Sequence, residues 1–179
     1  MRKINAVLTA VIMLIFVLHA VTGSLNMMNI APIITRIEAY IMLGLICVHV
    51  VLSAILSVKS VRVWKTTGAP YFKENILFWT RRLSGVVIMI LIAFHTTAFR
   101  SETAGAVTLP YFGVFRLVTQ LLLVASIAVH IITNVKPMLI SFGIKKLKPR
   151  AGDILFFLSA VLLVAAIAFI IYFIRWNTV

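Results

Sequence analysis

Acidic side chains are almost absent from this sequence: Asp and Glu number 4 in 179 residues, against 17 Lys and Arg. With 63% hydrophobic residues and a mean hydropathy of +1.14, four carboxylates cannot keep such a chain in water. The class is therefore a polytopic membrane protein with the bilayer as its main solvent. Cysteine is also scarce. The single Cys47 cannot form an internal disulfide, and it lies in an apolar run as a small hydrophobe. No nucleophile–base arrangement and no phosphate-binding loop occurs, so no catalytic site is expected apart from ligand binding. A cleavable signal is not expected either, because the opening apolar run is long enough to span and no small-residue cleavage site follows it. The net charge of +13 sits in loops between apolar runs, which is the mark of membrane topology and not of nucleic-acid binding.

Five apolar runs reach the roughly 20 residues needed to cross the hydrocarbon. They predict an all-α, five-transmembrane-helix bundle with helices at about 4–24, 37–58, 76–99, 112–135 and 153–174, a single integral membrane domain over 1–179. Breaker residues fall in the intervening loops: Pro32, then Gly68 and Pro70, then Gly105 and Pro110. With the N-terminus inside, 13 Lys and Arg face inward and only Arg36, Arg100, Arg116 and Arg175 face outward. That asymmetry predicts a cytoplasmic N-terminus and an outer C-terminus. The short loops leave little room for an extramembrane domain, so partner subunits are expected. Val48-His49-Val50-Val51 in the second run resembles Val129-His130-Ile131-Ile132 in the fourth, a weak internal repeat.

The histidines are few and all lie in apolar runs: His19, His49, His95 and His130, one on each of the first four helices. One such residue can simply hydrogen-bond a neighbouring helix. Four, each alone on its helix, point to a functional site. Depth sorts them. At 1.5 Å per residue His19 lies about 24 Å from Lys3 and His95 about 20 Å from Arg82. His130 lies only about 9 Å from Lys136 and His49 about 15 Å from Lys59. This gives an outer pair, His19 with His95, and an inner pair, His49 with His130; pairing sequence neighbours mismatches them by about 10 Å. Zinc prefers four ligands, often including thiolate or carboxylate. Two imidazoles per level suit haem iron, which already holds four porphyrin nitrogens. The cofactor expectation is two b-type haems. Arg36, Arg100 and Arg116 outside, and Lys59, Arg81, Arg82 and Lys136 inside, are candidate propionate partners, with snorkelling and topology as the plainer roles for most of them.

Five helices, an inner N-terminus and one histidine on each of the first four resemble the dihaem cytochrome b anchor of the succinate:quinone oxidoreductases, the family of succinate dehydrogenases and fumarate reductases. The resemblance covers nearly the whole chain and rests on topology and histidine placement. It implies a distal haem between helices one and three, a proximal haem between helices two and four, and iron–sulfur and flavoprotein subunits on the cytoplasmic face. Electrons would pass to or from menaquinone or another quinone in a bacterial or archaeal-type cytoplasmic membrane. Arg82-Leu83-Ser84-Gly85 is also similar to the R-x-S-G stretch of ubiquinone-type anchors, where the arginine and a serine four residues earlier line the quinone pocket. Here Phe78 stands at that earlier position and the stretch is on the third helix, leaving Trp79 and Ser84 as neighbours of Arg82. Glu38 could instead exchange protons with a quinone at the outer level, or pair with Arg36. The rival expectations are a cytochrome b subunit of a hydrogenase or formate dehydrogenase, which often carries two histidines on one helix, a haem-free histidine-containing transporter, and a cofactor-free scaffold protein.

Overall fold

A computed structural model of the chain describes residues 2–30, 36–67, 76–99, 111–144 and 146–178, with the side chains of residues 36, 63–65, 67 and 147 outside that description. The described residues form five α-helices and no strand: α1 (Arg2–Met27), α2 (Arg36–Thr67), α3 (Ile76–Ala98), α4 (Val114–Ser141) and α5 (Leu147–Asn177). All five are long and apolar enough to cross a membrane. Their outer faces are hydrocarbon: Leu14 and Tyr40 are each 73% exposed and Phe156 79%. Such a surface is stable only in lipid, so the chain is a multi-pass membrane protein.

Several helices outrun their apolar stretches. α1 continues to Met27 beyond the predicted 24, α2 to Thr67 beyond 58 and α4 to Ser141 beyond 135, while α5 starts at Leu147 and not at 153. Residues 59–67, expected as loop, are therefore helical. Apolar length reports the thickness of hydrocarbon, whereas helix ends are set by capping and turn chemistry. α1 closes with Asn29 in the left-handed region (φ 59°), where Ile30 N–H donates to Leu25 O and Asn29 N–H to Asn26 O. α4 closes the same way at Gly143 (φ 74°), with Ile144 N–H to Leu139 O and Gly143 N–H to Ile140 O. Both are Schellman endings, which need a residue that tolerates positive φ. The breakers Pro32, Gly68, Pro70, Gly105 and Pro110 lie outside the described residues.

Pro137 sits inside α4. Lacking an N–H, it leaves the carbonyl four residues earlier, that of Thr133, without its helical partner. Arg81 of α3 supplies the replacement, its Nε–H donating to Thr133 O at 2.9 Å. In lipid such a freed carbonyl must find a donor inside the protein.

The helices pack as a row, α3 on α4, α4 on α5, α5 on α1 and α1 on α2, and a contact between α1 and α4 curls it. At the end where α1, α3 and α5 finish and α4 begins, Phe112, Phe169 and Tyr172 form the tightest cluster, with Met27, Phe99 and Leu117 packed around them. The opposite end carries most of the described Lys and Arg, among them Lys59, Arg62, Lys136, Lys148 and Arg150. These are called the aromatic end and the basic end below.

Candidate functional site

The curl of the row brings histidines from different helices together. His19, eight residues before the end of α1, faces His95, in the last turn of α3, with ring centroids 6.1 Å apart and planes at 76°. His49 of α2 and His130 of α4 lie nearer the basic end, within electrostatic range of each other and of Arg82. Gly85 of α3 lies against the His130 ring: a Cβ there would stand 3.5 Å from Cε1 and 3.8 Å from Nδ1. A methyl group there would make ordinary van der Waals contact with the imidazole, so α3 runs directly beside it.

Each Nδ1 faces a polar group on the helix that pairs with its own. His95 Nδ1 lies 2.7 Å from Oε1 of Gln120 on α4. That oxygen only accepts, so His95 Nδ1–H donates. His130 Nδ1 lies 3.0 Å from Oγ of Ser84 on α3, and Ser84 Oγ also lies 3.2 Å from Arg81 O. His49 Nδ1 lies 3.4 Å from Oγ1 of Thr9 on α1. His19 Nδ1 is buried without a hydrogen bond and looks at Oε1 of Glu38 on α2 from 3.6 Å. Glu38 is itself held by Thr22, whose Oγ1 donates to Oε1 at 2.7 Å. The pattern is reciprocal: α1 and α2 orient one another's histidines, and so do α3 and α4. Where Nδ1–H donates, as at His95, Nε2 is the nitrogen with the free lone pair. His49 also has a contact at Nε2, with Ser53 Oγ at 3.5 Å on its own helix.

The His19–His95 spacing can be compared with that of two imidazoles on one metal. Two imidazoles on one metal have ring centroids about 6 Å apart, once two metal–nitrogen bonds of about 2 Å and two half-rings are added. The His19–His95 separation of 6.1 Å meets that span. No cluster of three or more His, Cys, Asp or Glu that could hold a metal ion occurs among the described residues.

The remaining predicted residues separate. Arg116 donates to the Tyr111 carbonyl at the start of α4, and Lys136 is exposed at the basic end beside Pro137. Arg100 and the Arg36 side chain lie outside the described residues. Trp79 and Ser84 line a groove of about 450 Å³ between α3 and α4, together with Thr80, Leu83, Ser126 and Val129. The Arg82 guanidinium lies over the Phe78 ring, 4.7 Å from its centroid, and Phe78 meets Trp79 edge-on. Glu38 is elsewhere, with His19 between α1 and α2. The sequence reading missed Gln120, Thr9 and Thr22. A polar residue in an apolar helix was the available signal for each.

Comparison with protein-family models, curated proteins and solved structures gives no match.

Proposed function

We propose that this protein is the membrane anchor and electron-transfer subunit of a succinate:quinone oxidoreductase-type complex, carrying two b haems on His19/His95 and His49/His130. The observation that carries the reading is the facing His19–His95 pair at 6.1 Å, with the four imidazoles each presented to a polar partner on the adjoining helix. The bound haems supply one-electron carriage between a cytoplasmic iron–sulfur and flavoprotein dehydrogenase or reductase and membrane quinone. The chain's own part is to hold and orient the ligands. Gln120, Ser84, Thr9 and Glu38 fix ring orientation and raise imidazole basicity through Nδ1. The apolar helices exclude water and lower the local dielectric, which sharpens every charge effect at the iron. Arg82, near both inner histidines, supplies a positive charge for an inner propionate.

In this reading the basic end is cytoplasmic and the aromatic end outer, from the 13-to-4 distribution of Lys and Arg. The Trp79–Ser84 groove is open to a quinone or to lipid, and the membrane is the cytoplasmic membrane of a bacterium or archaeon. The test is a dithionite-reduced minus oxidised spectrum with a pyridine haemochrome assay on the purified, haem-supplied protein. Two b haems per chain are expected. Folded protein without haem would contradict the reading and leave the histidines as a proton or substrate path.

A further inference from the structure

Among the described residues, Gln120 is the polar one that the bundle hides most completely. It is 0% exposed, and it and Phe112 are the largest fully buried side chains. A primary amide in such surroundings is costly unless its hydrogen bonds are made. Among the described residues its amide nitrogen has one long contact, 3.4 Å to Thr119 Oγ1 on the preceding residue. Its oxygen makes the shortest of the histidine contacts, 2.7 Å to His95 Nδ1. The other side of the same imidazole meets the Phe99 ring, centroids 5.2 Å apart, and Phe99 is packed into the aromatic cluster with Phe112, Phe169 and Tyr172. His95 is therefore fixed by a hydrogen bond and by packing at once. His19, opposite, has only the 3.6 Å approach of Glu38. The two ring planes stand at 76°.

We propose that Gln120 is the positioning residue of the His19/His95 site: it locks the His95 ring nearly perpendicular to His19 and thereby sets the electronic state and potential of the haem iron they hold. This rests on the two-haem reading above and adds to it a specific role for one amide. Two axial imidazoles at right angles donate to different iron d orbitals, which leaves those orbitals nearly equal in energy. The ferric low-spin EPR spectrum is then strongly anisotropic, with an isolated low-field feature. Parallel planes split the orbitals and spread the signal into three well-resolved features. The hydrogen bond acts in the same place on potential. Donation from Nδ1–H to Oε1 increases the electron density that His95 offers the iron, which favours the ferric form.

The experiment uses the full chain, haem-loaded, with Gln120→Met and Gln120→Glu compared with wild type by haem count, EPR and potentiometric titration. The outer signal is identified as the one lost in His95→Ala. Q120M keeps the side-chain volume and removes the acceptor, so the low-field feature should give way to a three-feature spectrum and the outer potential should rise. Q120E retains an acceptor at the same reach and should keep the wild-type feature without that rise. If Q120M does not accumulate, Q120N, whose amide falls short of His95, should give the same changes as expected for Q120M. A two-haem Q120M or Q120N protein with unchanged spectrum and potential overturns this proposal alone. Wild-type protein devoid of haem overturns the two-haem reading and this proposal with it.

Discussion

An imidazole in hydrocarbon needs partners for both of its nitrogens, because no water is present to serve either one. Three of the four histidines meet the first half of that need through Gln120, Ser84 and Thr9, at 2.7, 3.0 and 3.4 Å, while Glu38 approaches His19 Nδ1 at 3.6 Å without a hydrogen bond. Shorter contacts imply stronger orientation. Loss of an orienting partner typically costs about 10- to 100-fold in metal affinity. On the two-haem proposal, Ser84→Ala is thus expected to weaken retention of the haem on His49/His130 by roughly tenfold or more, and Thr9→Val by clearly less. Haem transfer to a soluble acceptor protein measures both, and a larger effect from Thr9 would contradict the ranking. The histidines were legible in the sequence because each is the one imidazole in an apolar run. Their partners were not. Gln120 is 25 residues from His95, Thr9 is 40 from His49 and Ser84 is 46 from His130, so no local spacing links them.

Within α4, Pro137 and Arg81 form a device of a different kind. The ring of Pro137 frees Thr133 O, and the Arg81 guanidinium of α3 occupies it, tying the two helices together just below the inner histidines. Pro137→Ala restores an N–H for that carbonyl and makes the arginine contact redundant. Arg81→Met is therefore expected to destabilise the wild-type bundle by about 1 kcal/mol and the Pro137→Ala background by much less. Unfolding in detergent across the four proteins checks this, and additive losses would sink the idea. The existence and approximate centres of the helices followed from apolar run length. Their ends did not, because Asn29 and Gly143 stop α1 and α4 through positive φ and backbone hydrogen bonds that hydropathy does not encode.

For the whole molecule, the curl of the row matters most, since α2 and α3 stand at its two ends and yet contribute His49 and His95 to opposite pairs. Topology is open to a direct check. A reporter that works only outside the membrane, fused after Val179, should be active, and the same reporter placed within residues 68–75 should be silent; the reverse pattern would invert the orientation drawn from Lys and Arg. The central claim is that these helices build two distinct bis-histidine sites. It is tested most directly by counting and resolving the haems in four single variants, His19→Ala, His49→Ala, His95→Ala and His130→Ala. About one haem should remain in each, with the His19 and His95 variants losing one spectral component and the His49 and His130 variants losing the other. Loss of the same component from His19→Ala and His49→Ala, or undiminished haem in all four, would contradict it.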